Sequence, residues 1–315
     1  MKIAFTAPMK PLDDPVPSGD RTMGRLIVKA LETAGHDVRT ATRFRAWYKT
    51  GGDEALLEIR RAALAEADRI ATDWEQDGYR PDLFLTYHLY HKAPDWIGPA
   101  LADRFGLPYA IIEASRARKR RTGPWAVGFQ GADFALTRAD AIAALHDWDR
   151  DRLLPFFEET RTDPQARLRT VLPFLDIQPF IEAAETPKSP RKPPLKLLTV
   201  GMMREGDKTR SYEVLASALA QLDDLPWQLT IAGDGPNRDH ILALFPENRI
   251  DWRGAFSAED MPALYAEHDL FAWPAIRESF GFVILEAQAA GLGVVAGDAL
   301  GVPEMIKDDE TGLLA

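Results

Sequence analysis

The feature that most constrains the fold is a pattern that opens both halves of the chain. The apolar run Lys2–Thr6 precedes a proline-rich loop, after which a helical pattern covers Met23–Ala34 and stops at Gly35. The second half repeats this order, with an apolar run at Leu195–Val200, a loop, and a helical pattern at Ser211–Leu222. Strands that alternate with helices of about 10–15 residues are typical of βαβ units, which build parallel sheets. The pattern therefore predicts two doubly wound α/β domains.

The rest of the chain continues this alternation of apolar runs and helical patterns. Further strands are predicted at Leu83–Tyr87, Tyr109–Ile112, Ala132–Thr137, Leu168–Leu172, Trp227–Ala232, Ile250–Arg253, Leu270–Trp273 and Val294–Ala296. Further helices are predicted at Glu54–Asp77, Pro94–Phe105, Ala139–Leu145, Asp239–Phe245, Met261–His268 and Phe282–Ala290. Open sheets of this class bind ligands at the carboxyl ends of their strands. We therefore look for functional side chains there.

A proline-rich segment separates the two halves. Residues Glu185–Pro194 carry prolines at 187, 190, 193 and 194, which excludes a helix and favours an extended linker. We expect an N-terminal Rossmann-like domain at residues 1–184, the linker at 185–194, and a C-terminal Rossmann-like domain at 195–315. Two such domains are expected to face each other across a cleft that holds the ligand.

Composition excludes several classes of protein. Hydrophobic residues make up 46% of the 315 residues, which is enough for real cores and excludes a disordered chain. A net charge of −10 argues against nucleic-acid binding, and the absence of cysteine excludes disulfides, thiolate nucleophiles and cysteine-ligated metals. No apolar stretch reaches the ~18 residues of a spanning helix, so we expect a cytoplasmic protein. The acidity is local: from Lys196 onward there are 9 basic and 20 acidic residues, a net of −11, which leaves +1 for residues 1–195.

Two common nucleotide-binding motifs are missing. No Gly-x-Gly-x-x-Gly follows the first strand of either half, and there is no P-loop sequence. Gly233 and Gly235, with one residue between them, follow a strand, but Pro236 comes next and there is no third glycine. Hydride transfer with a dinucleotide and P-loop chemistry are therefore not favoured.

The segment Asp269–Gly291 is the richest in chemistry. A strand ends near Pro274, a loop carries Glu278, and a helix begins close to Gly281. A glycine at a helix start lets a ligand approach the backbone, and the positive end of the helix suits a pyrophosphate. Glu286 lies about one and a half turns into that helix, so the two glutamates could bracket a nucleotide sugar about 10–12 Å long.

Glu278 and Glu286, separated by seven residues around Phe280-Gly281-Phe282, resemble the paired-glutamate motif of glycosyltransferase family 4. These are retaining enzymes of the GT-B fold that use nucleotide sugars. The resemblance covers Lys196–Ala315 almost continuously and is looser in the first half. It includes Trp252-Arg253-Gly254, Asp260-Met261-Pro262, Leu264-Tyr265, Gly301-Val302-Pro303-Glu304 and Thr311-Gly312-Leu313-Leu314.

The resemblance implies roles for residues of the second domain. Glu278 would lie near the donor sugar hydroxyls and Glu286 on the ribose, with Gly281 and Phe282 at the helix start that binds the donor. By the same resemblance, a basic pair in the loop after the first strand of this domain binds the donor diphosphate. The candidates are Arg204 and Lys208, with Arg210 as a competitor for either role. Fixed cations stabilise the negative charge that builds on the leaving phosphate. The loop departs from the family pattern, because Met202 stands where an arginine is usual.

The first domain carries fewer candidates. Pro17-Ser18-Gly19-Asp20-Arg21 resembles the family's glycine loop, which faces the donor phosphate and the acceptor, with Gly19 as a single glycine where two are common. His88, at the end of a predicted strand, matches the family's histidine near the donor sugar, and His91 is the fallback. Glu113-Ala114-Ser115 ends the next strand and is expected to face the cleft without an assigned role.

Two charged segments have competing interpretations. Arg116–Arg121 holds five basic residues in six, which fits a solvated loop, contact with an anionic membrane surface, or a site for a phosphorylated acceptor. Its lack of interleaved aromatics argues against nucleic acid. Asp149-Arg150-Asp151 matches the aspartate pair that holds a metal in the other major glycosyltransferase fold, but we expect surface residues there and no metal.

The sequence thus predicts a retaining, metal-independent hexosyltransferase that needs no cofactor besides its nucleoside-diphosphate-sugar donor. The acceptor is not readable. A nucleotide-sugar epimerase, a sugar phosphorylase and a non-catalytic nucleotide-binding scaffold remain alternatives. Family members generally continue past the equivalent of Gly312-Leu313-Leu314-Ala315, so the C-terminal domain is expected to be short. We expect a cytoplasmic location, with peripheral contact to the inner face of the membrane as an option.

Overall fold

The computed structural model describes residues 1–16, 18–185, 192–278 and 281–315. The chain forms two compact units, Met1–Leu172 (unit 1) and Pro173–Ala315 (unit 2). Most of the predicted proline-rich linker, together with Pro17, Ser279 and Phe280 of the quoted motifs, lies outside the described residues.

Unit 1 is a parallel sheet with helices in the connections. Its described elements are β1 (Lys2–Thr6), α1 (Gly19–Thr33), β2 (Asp37–Thr40), α2 (Asp53–Asp77), β3 (Leu83–Leu89), α3 (Ile97–Phe105), β4 (Tyr109–Ala114), α4 (Ala126–Arg138), β5 (Ala141–Ala144), α5 (Asp147–Thr160), α6 (Pro164–Arg167) and β6 (Leu168–Thr170). The six described strands lie in the order β2-β1-β3-β4-β5-β6 and all pair in parallel. The carboxyl ends of β1, β3, β4 and β5 therefore lie side by side.

Unit 2 has the same plan. Its described elements are α7 (Gln178–Ala184), β7 (Leu195–Val200), α8 (Asp207–Leu219), β8 (Trp227–Ala232), α9 (Arg238–Leu242), β9 (Ile250–Gly254), α10 (Met261–Ala266), β10 (Leu270–Trp273), α11 (Phe282–Ala289), β11 (Gly293–Ala296) and β12 (Leu313–Leu314). The strand order among the described residues is β12-β11-β10-β7-β8-β9, again parallel. The predicted fold class, with two doubly wound parallel sheets, is confirmed.

Each unit is held by its own core. In unit 1 the strands bury apolar side chains on both faces, and Asp95 provides a buried polar anchor within that core. Asp95 accepts hydrogen bonds from the hydroxyls of Thr86 (2.6 Å) and Tyr109 (2.8 Å) and from the first amides of α3. The anchor ties α3 to β3 and β4, the two strands whose ends carry the candidate residues of this unit.

One stretch of unit 1 differs from the sequence prediction. The predicted strand Ala132–Thr137 is the second half of α4, and the predicted helix Ala139–Leu145 is largely β5. Alanine favours helices, so the run Ala141–Ala144 reads locally as helical, but pairing between β4 and β6 overrides that preference. Helix α5 was not predicted, because its polar first turn and internal Pro155 obscure the helical pattern.

The division between the units falls earlier than the predicted linker. Helix α7 packs in unit 2, where the Phe180 ring meets the Tyr265 ring edge-on with centroids 5.9 Å apart. The apolar face of α7 thus places residues from Pro173 onward with unit 2, although they precede the prolines. In the part of the chain that the structure describes, no helix is both long and apolar enough to span a membrane.

Candidate functional site

In unit 2 the loops that follow β7 and β8 pack backbone against backbone. A Cβ atom at Gly233 would lie 1.9 Å from the Gly201 carbonyl oxygen, and one at Gly235 would lie 2.3 Å from that of Met203. The buried Tyr212 hydroxyl donates to the Gly201 carbonyl at 2.8 Å and fixes the same loop from below. These glycines are therefore required by close packing of the two loops.

The loop after β7 presents the predicted basic residues. Arg204 is exposed, and its side chain has no ion-pair partner among the described residues, while its carbonyl accepts from the Thr209 hydroxyl at 2.8 Å. Arg210, the competitor, points to Asp207 at 3.9 Å and is well exposed. Lys208 is the second residue of α8 and is partly buried. Unlike the two arginines, Lys208 contacts the loop that follows β10, where it meets Glu278.

The Lys208 ammonium forms an ion pair with the Glu278 carboxylate. It also lies 5.2 Å from the centre of the buried Trp273 ring, whose Nε1 donates to Glu278 Oε2 at 3.4 Å. Two of the residues predicted from sequence, 70 positions apart, are thus in direct contact on an aromatic platform. The contact neutralises both charges when no ligand competes for them.

The loop that carries Glu278 is fixed by local hydrogen bonds. Ala275 and Arg277 both have φ of 54°, a left-handed conformation that is unusual for residues other than glycine. The Glu278 amide donates to the Ala275 carbonyl at 3.0 Å, and the Ile276 amide donates to Ser211 Oγ at 3.0 Å. Such strain persists only where surrounding contacts over-determine the backbone, and it is common at ligand sites.

Gly281 and Phe282 stand at the start of α11, as predicted. Gly281 has φ of 51° and precedes the helix as its N-cap residue, with Phe282 as the first helical residue. A Cβ atom at Gly281 would lie 2.6 Å from the Met305 methyl group. The glycine is therefore needed for its backbone conformation and for the packing of Met305, independently of any ligand.

Glu286 is held by a buried tyrosine. Its Oε2 accepts from the Tyr265 hydroxyl at 2.8 Å, and burial raises the pKa of Glu286. Among the described residues, Oε1 has no hydrogen-bond partner, so one carboxylate oxygen is fixed and the other is available to a hydroxyl donor. Sequence reasoning quoted Tyr265 within the family resemblance but gave it no role.

In unit 1 three titratable side chains meet at the ends of neighbouring strands. His88 and Glu113 are the penultimate residues of β3 and β4, and Asp20 is the second residue of α1. His88 Nδ1 lies 3.1 Å from Asp20 Oδ1 and 3.5 Å from Glu113 Oε2. Both His88 and Glu113 have φ of 61°, a left-handed conformation that is unusual for residues other than glycine, while the residues on either side of them stay paired between β3 and β4. Gly19 begins α1 directly after its N-cap Ser18, whose hydroxyl accepts from the Arg21 amide at 3.3 Å.

The pKa values of this cluster reflect burial and mutual charge. Burial raises the pKa of Glu113 to about 7, although the neighbouring His88 lowers it. Burial opposes a charged His88, but the Glu113 and Asp20 carboxylates outweigh it and raise the pKa of the imidazole. Burial likewise opposes an ionised Asp20, yet the imidazole outweighs it, so the pKa of Asp20 is lowered. The cluster therefore favours a positive charge between two carboxylates.

The predicted surface position of Asp149 is wrong. Asp149 lies in the first turn of α5 and is buried, and its charge contributes to the pKa values of His88 and Glu113. Asp151 is exposed and pairs with Arg150 at 2.9 Å, as expected of a surface residue. The sequence missed this difference because α5 was not predicted, so the inward and outward faces of its first turn could not be assigned.

His91, the fallback for His88, occupies a different environment. Burial and the nearby basic side chains lower its pKa to about 4, so its ring is neutral at physiological pH. Neither ring nitrogen has a hydrogen-bond partner among the described residues, and the ring packs edge-on against Trp125 at 5.3 Å. The structure therefore brings His88, and not His91, to the carboxylates.

The basic segment Arg116–Arg121 is largely paired within unit 1. Arg116 is almost fully buried and bonds both oxygens of Asp133 and one of Glu159, at 2.7–2.8 Å. Arg118 and Arg121 also pair with Glu159. Much of this positive charge is thus compensated locally, and contact with a membrane stays a prediction.

The fold of the chain is found in solved structures of glycosyltransferases. The whole chain superposes on a glycosyltransferase from Rickettsia africae with a TM-score of 0.68 at 15% identity, covering 99% of this chain and 83% of that one. It superposes on the Anabaena protein HepE in complex with UDP and glucose with a TM-score of 0.60 at 18% identity, covering 100% and 85%. The fold is that of the GT-B glycosyltransferases.

Sequence comparison finds similarity to glycosyltransferases, most of it in the second half of the chain. Residues 194–315 match the family model of the glycosyl transferases of group 1. A GDP-mannose-dependent alpha-(1-6)-phosphatidylinositol monomannoside mannosyltransferase of Mycobacterium tuberculosis is 26% identical over 95% of this chain and 67% of its own length. Sulfoquinovosyl transferase SQD2 of Arabidopsis thaliana is 33% identical over 38% of this chain. The chain spans 23–33% of the length of the first curated relatives that it matches.

Proposed function

We propose that the protein is a retaining glycosyltransferase that moves a sugar from a nucleoside-diphosphate sugar to an acceptor hydroxyl. The observation that carries this proposal is the contact of Lys208 with Glu278 beside the start of α11, in the part of the chain that matches the family. In such a donor the diphosphate and the sugar are adjacent. A cation that binds the diphosphate and a carboxylate that binds sugar hydroxyls are therefore expected side by side.

The proposed division of roles follows from these contacts. Lys208 and the exposed Arg204 stabilise the diphosphate as the bond to the sugar breaks, because fixed cations lower the energy of the developing negative charge. Glu278 accepts hydrogen bonds from the sugar. Glu286, oriented by Tyr265, accepts one from the ribose through Oε1.

Two protein cations replace a metal at the diphosphate in this proposal, so transfer needs no added metal at the donor. The leaving phosphate oxygen takes the acceptor proton on the face that it vacates, which retains the configuration at the sugar. His88 belongs to unit 1 and contributes near the donor sugar or the acceptor.

The relatives suggest which donors to try first. The mycobacterial relative is named for its use of GDP-mannose, and HepE was solved with UDP and glucose. We therefore propose a hexose donor with UDP or GDP, a cytoplasmic location where such donors are made, and an acceptor that is a glycan, a lipid-linked sugar or a small molecule.

Donor hydrolysis tests the proposal without knowledge of the acceptor. UDP-glucose, UDP-galactose, GDP-mannose and ADP-glucose are incubated singly with the full chain, and nucleoside diphosphate release is measured with the released sugar followed by NMR. We expect slow hydrolysis of one donor with retained anomeric configuration, lowered at least tenfold by Lys208→Ala and by Glu286→Ala.

The matched control is Lys307→Ala, which removes an exposed lysine of the same unit that pairs with Glu310. Conversion of the donor to its epimer would replace the proposal by an epimerase. Absence of binding to every nucleotide by calorimetry would leave a scaffold.

A further inference from the structure

We propose that Asp20, His88 and Glu113 of unit 1 bind a divalent transition-metal ion of the Zn²⁺ or Mn²⁺ type. Its three residues belong to unit 1, whereas the proposed function assigns the donor diphosphate to Lys208 and Arg204 of unit 2. It goes beyond that function, and its test does not depend on transfer.

The three side chains are already arranged as ligands. One oxygen of each carboxylate and one imidazole nitrogen all lie within 4.8 Å of one another. His88 Nδ1 is 3.1 Å from the Asp20 oxygen and 3.5 Å from the Glu113 oxygen. Ligands bonded to one ion at about 2.0–2.2 Å are about 3–3.6 Å apart, so two of the three edges have the right length. The third distance, between the Asp20 and Glu113 oxygens, shortens when a bound ion removes the repulsion between the two carboxylates.

Two atoms of the cluster lack a hydrogen bond of normal geometry among the described residues. Neither His88 Nδ1 nor Glu113 Oε2, both buried, completes a hydrogen bond of normal geometry among the described residues. The nitrogen thus faces two carboxylate oxygens without a directed bond to either. Buried polar atoms are rarely left in this state, since the loss of water is then uncompensated. An ion bound by all three atoms compensates each of them.

Tyr87 gives an independent indication of a ligand at this place. Its side chain is 2% exposed, and its hydroxyl has no hydrogen-bond partner among the described residues. The Tyr87 ring packs edge-on against the His88 ring, with centroids 5.9 Å apart. Groups that ligate metals are commonly oriented by such second donors. When Glu113 bonds an ion through one oxygen, Tyr87 can hold the other.

The charges of the three ligands favour a divalent cation over a monovalent one. Asp20 and Glu113 supply two carboxylates, and His88 binds a metal as the neutral imidazole. A divalent ion balances the two carboxylates, whereas a monovalent ion would leave one negative charge in a partly buried place, which is costly.

The donor set selects the kind of metal. Two carboxylate oxygens and one imidazole nitrogen suit Zn²⁺ or Mn²⁺, whereas Ca²⁺ and Mg²⁺ prefer oxygen ligands throughout. Three protein ligands leave at least one position open for water or for an acceptor hydroxyl. His88 is fixed at the strand end by its neighbours, with the Tyr90 ring 5.2 Å away, so its nitrogen cannot easily turn from the carboxylates.

Metal titration of the full chain tests the site without nucleotide or acceptor. Mn²⁺ binding is followed by electron paramagnetic resonance, and Zn²⁺ binding by calorimetry in a buffer that does not chelate. We expect one strong site per chain, with affinity lowered at least tenfold in Glu113→Gln, His88→Asn and Asp20→Asn. Asp151→Asn, which removes an exposed carboxylate of the same unit, should bind like the unmodified chain.

The variants also separate binding from folding. Asp20 lies on the first turn of a surface helix, so Asp20→Asn serves if the other two variants fail to fold, and circular dichroism checks each of them. Added Zn²⁺ should raise the unfolding temperature of the unmodified chain but not of Asp20→Asn. The proposal is overturned if neither metal binds, or if all three variants retain full affinity. Binding of putrescine in place of the metals would overturn it as well and assign the carboxylates to an amine.

Discussion

The ion pair between Lys208 and Glu278 makes a prediction in which two neighbouring residues have opposite effects. Both are proposed to serve the donor, but a nucleoside diphosphate lacks the sugar that Glu278 would bind. In the unliganded protein Glu278 holds the ammonium that the diphosphate needs. Glu278→Gln should therefore tighten the binding of the nucleoside diphosphate, whereas Lys208→Ala should weaken it.

The burial of the pair sets the magnitudes. The side chains are 27% and 21% exposed, so the pair is neither fully solvated nor fully buried. An exposed ion pair contributes up to about 1 kcal/mol, and removing this competitor should tighten diphosphate binding roughly fivefold. A hydrogen bond to a charged group contributes about 1.5–3 kcal/mol, so Lys208→Ala should weaken binding roughly 10- to 100-fold. In Lys208→Ala the Glu278 carboxylate also keeps only the long contact to Trp273 Nε1, and its charge then repels the diphosphate.

Calorimetry with UDP and GDP measures both effects on the same preparations, with Lys307→Ala as the control for general charge. With the intact nucleotide sugar, Glu278→Gln should no longer bind more tightly than the unmodified chain, because the contact of Glu278 with the sugar is gone. Turnover should fall for the same reason. If Glu278→Gln weakens the binding of the bare diphosphate as much as Lys208→Ala does, then Glu278 contacts the nucleotide itself and the assignment of roles is wrong.

Two further predictions concern single residues. Arg116→Ala should destabilise unit 1 by about 1.5–3 kcal/mol, because Asp133 loses both of its charged hydrogen bonds while Glu159 keeps Arg118 and Arg121. Arg118→Ala, at 61% exposure, should cost about 1 kcal/mol or less. Thermal unfolding followed by circular dichroism compares the two variants, and equal shifts would contradict the reasoning. Burial raises the pKa of Glu286, so nucleotide affinity should fall on acidification at a higher pH than an ordinary glutamate would cause. Glu286→Gln should bind more weakly and lose that pH dependence, and an unchanged pH profile in the variant would exclude Glu286 as its source.

Much of the fold is predictable because its buried strands are short apolar runs bounded by loop residues. Strands β1, β7, β8 and β10 have the predicted bounds. Such strands are covered on both faces, so their composition alone identifies them. In the alanine-rich stretch from α4 to β5 the local signal is misleading, because alanine favours a helix where pairing with β4 and β6 makes a strand.

The candidate site of unit 2 was predictable as a set of residues but not as a set of contacts. The class of fold places Glu278 and the loop of Lys208 at the carboxyl ends of β10 and β7, which are neighbours in the sheet. That Lys208 pairs with Glu278 over the Trp273 ring depends on side-chain packing, which the sequence pattern does not encode. The earlier division between the units has a similar origin, because α7 is assigned by its packing on Tyr265 and not by the prolines that follow it.

The cluster in unit 1 was harder to predict, for a reason that lies in the backbone. His88 and Glu113 meet because β3 and β4 are neighbours and because both residues adopt a positive φ at the strand end. A positive φ is most often adopted by glycine. Neither residue is a glycine, so the sequence carries no local signal for this backbone conformation. Asp20 was adjacent to the predicted Gly19 and could have been included on position alone.

The two sites carry local charges opposite to what their surroundings suggest, and this bears on the acceptor. Residues from Lys196 onward carry a net charge of −11, yet the candidates for the donor diphosphate there are the cations Lys208 and Arg204. The first 195 residues are near neutral, yet the carboxylates of Asp20, Glu113 and Asp149 act on one histidine, His88. Two like charges about 4 Å apart at an effective dielectric constant near 20 repel by about 4 kcal/mol. An acceptor phosphate beside His88 would meet that repulsion from each ionised carboxylate, unless a bound cation removes it. A metal ion at Asp20, His88 and Glu113 would therefore decide whether this end of unit 1 accepts an anionic or only a neutral or cationic acceptor group.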